Sequence, residues 1–72
     1  MRQDGFEFVI YTNDHEPMHV HAYKGDGEAK IELSSVVVVG VWEMKKSDAR
    51  KAKHIVAENQ DDLIQQWREI HG

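Results

Sequence analysis

Three of the five histidines in this 72-residue chain fall close together, at His15, His19 and His21. His19 and His21 are two positions apart, so on a β-strand both imidazoles point to the same side, about 7 Å apart along the backbone. Imidazole nitrogens at this spacing suit zinc, iron, copper or nickel, and His15 on the preceding loop or Glu32 on a paired strand would supply a third ligand. Three protein ligands and one open position are typical of a catalytic metal site.

A purely structural role is the alternative interpretation of the same histidines. They would then lie on a partly exposed strand, where His21 would hydrogen-bond to Glu32 across the sheet. The chain has no cysteine, which excludes thiol catalysis, and no serine lies in the sharp strand-to-helix context of a nucleophile. The residues therefore contain no complete catalytic set apart from a possible metal site.

The strands that must position these residues follow from alternating apolar residues and from turn residues. Three to four strands are predicted, over residues 6–11, 19–24, 28–34 and 36–42. If Asp26 and Gly27 form a two-residue hairpin loop, His21 pairs with Glu32. That register separates the two faces of the sheet, because side chains alternate with a period of two along a strand.

One predicted face of the sheet is apolar and the other is polar and aromatic. The core face carries Phe6, Phe8, Ile10, Val20, Ala22, Ile31 and Leu33. The opposite face carries the histidines together with Tyr11, Tyr23 and Lys30, which form a candidate binding face. A small molecule or a metal would therefore bind on the side of the sheet away from the core.

From residue 47 onward the apolar residues recur with the period of a helix. This stripe consists of Ala49, Ala52, Val56, Leu63, Trp67 and Ile70. One C-terminal helix packed on a sheet face is favoured, kinked or broken near Asn59; two helices split there are the alternative, because aspartates follow Asn59 as at a helix start. An unbroken helix of this length would reach about 36 Å and extend past the sheet. Its overhanging apolar stripe predicts a homodimer or a protein partner.

Length and charge limit the classes of function. The 72 residues allow one domain, residues 1–72, and the formal net charge of −4 disfavours non-specific nucleic-acid binding. Lys46, Arg50 and Lys53 near the helix start nevertheless keep a nucleic-acid site open as an alternative. No apolar run is long enough to span a membrane and the N-terminus has no signal-peptide pattern, so the sequence predicts a cytoplasmic protein.

The stretch from Asn13 to Ala22 resembles domain-of-unknown-function family 4160. Members typically have Asn-Asp-His-x-Pro-Pro-His-x-His-Ala, and this chain has Asn-Asp-His-Glu-Pro-Met-His-Val-His-Ala. Met18 thus replaces the second proline, and Asn59 stands where many members have histidine. The resemblance implies a small bacterial cytoplasmic α+β protein and, from gene arrangements similar to toxin–antitoxin pairs, a protein partner. It implies no activity, because the family is uncharacterised.

These observations favour an α+β protein that acts as a non-enzymatic protein-interaction module. A metal-dependent enzyme or metal-binding protein using His15, His19 and His21 is the first alternative, with a divalent ion such as zinc as the cofactor and Glu32 as a supporting group. Nucleic-acid binding through the basic start of the helix is the second.

Overall fold

The computed structural model describes all 72 residues as a five-stranded antiparallel sheet followed by two helices. The strands are β1 (Arg2–Gln3), β2 (Phe6–Val9), β3 (His19–Lys24), β4 (Gly27–Glu32) and β5 (Val37–Trp42), and the helices are α1 (Lys46–Glu58) and α2 (Gln60–His71). The strands lie in chain order, so β1 and β5 form the edges. Neither helix is long and apolar enough to cross a membrane. The α+β prediction is confirmed, but the predicted three to four strands are too few.

The additional strand, β1, results from a second Asp-Gly hairpin near the N-terminus. Asp4 and Gly5 both have positive φ angles, 53° and 84°, which is the combination that a type I′ turn requires. Gln3 consequently pairs with Phe6, and the chain folds back on itself immediately. The two residues of β1 are too few to show alternation, so the Asp-Gly dipeptide was the only sequence signal for this strand.

The hairpin between β3 and β4 is shifted by two residues from the predicted register, which is therefore wrong. Gly25 and Asp26 form the loop, and Lys24 pairs with Gly27. Gly25 has a φ of 58°, as the first loop position of a type II′ turn requires. Gly27 is buried in β4 instead, and a Cβ at this position would lie 2.5 Å from the carbonyl oxygen of Glu43.

The shift changes the partners across the sheet but leaves the faces unchanged. His21 lies opposite Lys30, and Glu32 lies opposite His19. A shift of two residues keeps every side chain on its predicted face, whereas a shift of one would have reversed them all. The predicted core face is accordingly buried, with Ile10 only partly so.

The helical region divides at Asn59, as the alternative with two helices predicts. Asn59 has φ and ψ angles of −116° and 19°, which depart from helical values. Its side-chain amide donates hydrogen bonds to the Ile55 carbonyl and to the Gln3 side chain. A straight helix over residues 46–71 would be about 39 Å long, which exceeds the 33 Å longest extent of the molecule.

The break at Asn59 removes the predicted overhang of the apolar stripe. Gln60 Nε2 donates a hydrogen bond to the Leu33 carbonyl at 2.8 Å, which holds the start of α2 against the sheet. Leu63 and Trp67 are 1% and 3% exposed within the single chain, and only Ile70 of the stripe remains exposed. The helix stripe therefore gives no reason to expect a partner.

We expect the substitution Leu63→Ala to lower the free energy of unfolding by about 2–5 kcal/mol, because it removes a fully buried side chain from the core. Ile70→Ala on the exposed side of α2 is the matched control, and its effect should stay below about 0.5 kcal/mol. Urea unfolding of both variants measures the difference. Equal losses would show that α2 does not pack against the sheet.

Candidate metal centre

Two imidazoles and one carboxylate converge beside the start of β3. The Nε2 atoms of His19 and His21 lie 3.4 Å and 3.3 Å from Oδ2 of Asp14. One potential ligand atom from each residue lies within 4.8 Å of the other two. Ligands about 2.0–2.1 Å from a tetrahedral zinc ion lie about 3.3 Å apart. Both separations between imidazole and carboxylate therefore already match a zinc site.

The second nitrogen of each imidazole is held by a hydrogen bond. His19 Nδ1 lies 2.8 Å from the carbonyl oxygen of Pro17, which can only accept, so this nitrogen carries the hydrogen. His21 Nδ1 donates to Oε2 of Glu28 on β4 at 2.8 Å. In the neutral form of each imidazole, both bonds leave Nε2 as the nitrogen with a free lone pair. Histidines that bind metals commonly donate their other N–H to a carbonyl or a carboxylate in this way.

Asp14 is positioned by the loop between β2 and β3. Its Oδ2 accepts a hydrogen bond from the Tyr11 amide, and its own amide donates to the Tyr11 carbonyl. Burial alone would raise the pKa of Asp14, but the Tyr11 amide and the imidazoles of His19 and His21 in their protonated forms outweigh it, and the pKa falls below its ordinary value of 3.8. Asp14 is therefore a carboxylate at neutral pH, as a metal ligand must be.

His21 Nε2 is buried and has no hydrogen-bond partner. It lies close to the Asp14 carboxylate, but the two atoms are not aligned for a hydrogen bond. A buried polar atom without a partner costs about 1–3 kcal/mol, so its presence calls for a physical reason such as a bound ion. A cation between these three side chains would satisfy the nitrogen.

Aromatic side chains enclose the imidazoles. The Tyr11 ring meets the His21 ring edge-on at 5.1 Å, the Tyr23 ring stacks against it at 6.4 Å, and Trp67 of α2 lies 5.3 Å from His19. The two tyrosine hydroxyls are hydrogen-bonded to each other at 2.7 Å. Burial raises the pKa of Tyr23, and the Tyr11 hydrogen bond raises it further, so this hydroxyl stays neutral. The tyrosines form a wall of the site.

The other residues predicted for the site lie around this cluster without joining it. His15 is exposed and lines two cavities next to Asp14, of about 510 Å³ and about 490 Å³. Lys30 and Glu32 line the smaller of these cavities. Glu32 accepts hydrogen bonds from the hydroxyls of the two serines that follow β4 and from neither histidine. The register shift explains this, because it brings Glu28, and not Glu32, within hydrogen-bond distance of His21.

Two residues of the candidate site were not predicted from the sequence. Asp14 was overlooked because His15 beside it is the more familiar ligand, although a carboxylate in the same turn was a visible signal. Glu28 was overlooked because the predicted register placed a different residue near His21. Both contacts depend on the path of a turn, which alternation of apolar residues does not determine.

Lys46, Arg50 and Lys53, the residues predicted for nucleic acid, line a different surface. They border a groove of about 560 Å³ between α1 and β5. None of them belongs to the candidate metal cluster.

An antiparallel sheet backed by two helices, with two histidines and one aspartate converging at one end of β3, defines a small α+β domain with a candidate metal centre. A family model described as "Domain of unknown function (DUF4160)" matches residues 5–68. The chain belongs to this family, which confirms the resemblance seen in the sequence. No curated protein and no solved structure matches the chain.

We expect His19 and His21, in their neutral forms, to carry the ring hydrogen on Nδ1, because each Nδ1 donates to an oxygen atom. Long-range ¹H–¹⁵N NMR spectra of the imidazoles identify the tautomer. The exposed His15 and His54 are internal controls, since no hydrogen bond fixes their rings. Nitrogen shifts that place the hydrogen of either histidine on Nε2 would contradict this geometry.

Proposed function

We propose that this domain binds a divalent transition metal, such as zinc or iron(II), through Asp14, His19 and His21. The observation that carries the proposal is the buried Nε2 of His21, which has no hydrogen bond and lies beside the carboxylate oxygen that His19 also approaches. Two imidazoles and one carboxylate suit zinc or iron(II), whereas magnesium and calcium prefer oxygen ligands only.

Three protein ligands leave room in the coordination sphere for water or a second ligand. A zinc ion at such a position lowers the pKa of its bound water to about 7, which is the chemistry that a metal-dependent hydrolase uses. The neighbouring cavities, which both include Asp14 in their lining, give a ligand access to this side of the cluster. The proposed function is metal binding, and an enzymatic role would be an extension of it.

We expect the metal-free protein to bind zinc at pH 7 with a dissociation constant below about 1 µM, and Asp14→Asn or His21→Ala to weaken binding at least about 100-fold. Glu28→Gln, which weakens the support of the His21 ring, should cost about 10–100-fold. Competition with a chromogenic chelator measures each affinity. His15→Ala is the matched control and should change the affinity less than about threefold, because its side chain lies outside the cluster.

The variants also distinguish the two possible ligand sets. A loss in His15→Ala equal to that in Asp14→Asn would favour the three histidines predicted from the sequence. Unchanged affinity in His21→Ala, with an intact circular dichroism spectrum, would contradict the proposal.

A second candidate function is a protein interaction through the edge strand β5. Four of its six residues are apolar and 42–53% exposed, namely Val37, Val39, Val41 and Trp42. β5 has a neighbouring strand on one side only, so half of its backbone groups have no partner within the sheet. An exposed apolar edge of this kind is a template for the addition of another strand. This observation supports the interaction module that the sequence favours.

We expect extended peptides selected from an unbiased peptide array to bind the wild-type protein. This binding should be lost in the Val41→Asp variant, because a charge on β5 opposes an apolar contact. Ile70→Asp is the matched control, since it places the same charge on an exposed apolar residue of α2. Thermal unfolding checks that both variants are folded. If no peptide binds, or if both variants lose binding equally, β5 is not an interaction site.

A further inference from the structure

The groove beside β5 combines an apolar wall with three cations. Its apolar lining comes from Val37, Val38, Val41, Met44 and Ala49. Lys46, Arg50 and Lys53 occupy one face of α1, since residues four and three positions apart lie next to each other on a helix. The groove therefore presents a positive charge on one side and an open strand edge on the other.

The three cations have no negative partner in the chain. None of them takes part in an ion pair, although acidic residues outnumber basic ones by 13 to 9. Asp48, the acidic residue in the first turn of α1, instead accepts a hydrogen bond from Lys24 at 3.2 Å. The positive charge of the groove is therefore available to a ligand from outside.

We infer that the groove binds an extended acidic segment of a partner protein, which adds to β5 as a sixth strand and places its carboxylates beside Lys46, Arg50 and Lys53. The inference rests on the second proposed function and specifies its partner. Alternation along the added strand would direct acidic side chains to the face of the sheet that α1 covers, next to Val38 and Val41, and apolar ones to the opposite face, next to Val37 and Trp42. The cations of α1 and the open edge of β5 are then used by one ligand.

A second copy of this chain fits the same groove less well. Two antiparallel β5 strands pair around a twofold axis perpendicular to the sheet, which brings both α1 helices to the same side. The three cations of one copy would then face the three of the other in one shared groove. Like charges placed together across an interface oppose association, so an acidic partner is favoured over a homodimer.

Nucleic acid would use the cations but not the rest of the groove. A phosphate backbone supplies no strand that pairs with the free backbone groups of β5, and most of the lining residues are apolar. Interfaces with DNA are strongly polar and positively charged. An acidic peptide therefore satisfies more of the groove than an oligonucleotide does.

The test uses fluorescent peptides of about ten residues, the upper length of a typical strand, in which valine alternates with glutamate, glutamine or lysine. We expect the glutamate peptide to bind at least about tenfold more tightly than the other two, and its binding to weaken as salt is added. Arg50→Glu should reduce its affinity by at least about tenfold. Lys51→Glu makes the same charge change on α1 outside the groove, and is expected to have an effect below about threefold.

Four results would overturn the inference. Equal binding of the glutamate and glutamine peptides, lost in Val41→Asp, would leave β5 as an interaction site but remove its acidic specificity. Tighter binding of a labelled single-stranded oligonucleotide, reduced by Arg50→Glu, would assign the groove to nucleic acid. A dimer in light scattering that Val41→Asp dissociates would assign β5 to a second copy. Failure of all peptides, including those of the array, would remove the second function itself.

Discussion

The antiparallel pairing of β3 with its two neighbours supports both the core and the candidate metal centre. Val20 and Ala22 of β3 are fully buried on one face, and the imidazoles of His19 and His21 project on alternate positions. β4 supplies Glu28 to orient His21. A slip of one residue would expose the apolar face and bury the imidazoles in the core, so the hydrophobic pattern that determines the fold also determines the geometry of the candidate ligands.

The polar groups of the centre are tolerated because nearly all of them are paired. The amide of Tyr11 donates a hydrogen bond to Asp14, and the carbonyl of Pro17 accepts one from His19. Neither hydrogen bond depends on a metal. This framework would orient the ligands before an ion binds and would reduce the cost of ordering them. The one buried nitrogen of the cluster without a partner, on His21, is then a local exception of the kind that accompanies functional sites.

The sequence predicted the faces of the sheet better than its edges and turns. The burial of Phe6, Val20 and Ile31 was predictable, because side chains alternate between the faces of a sheet and a register shift of two residues leaves each side chain on the same face. The position of the loop at Gly25 was not predictable, because Gly25-Asp26 and Asp26-Gly27 both suit two-residue turns. Only the close approach of the Glu43 backbone requires a glycine at position 27, and the sequence does not show that contact. The carboxylate of Asp14 was missed for a similar reason, since its contact depends on how the loop before β3 turns.

The break between the helices links the helical layer to the candidate centre. Because α2 begins against the sheet rather than continuing the direction of α1, Trp67 is buried and covers the ring of His19. An unbroken helix would carry Trp67 past the end of the sheet and leave His19 open to water. Electrostatic interactions strengthen when water is excluded. The local conformation of Asn59 therefore affects the environment of His19, a candidate ligand forty positions earlier in the chain.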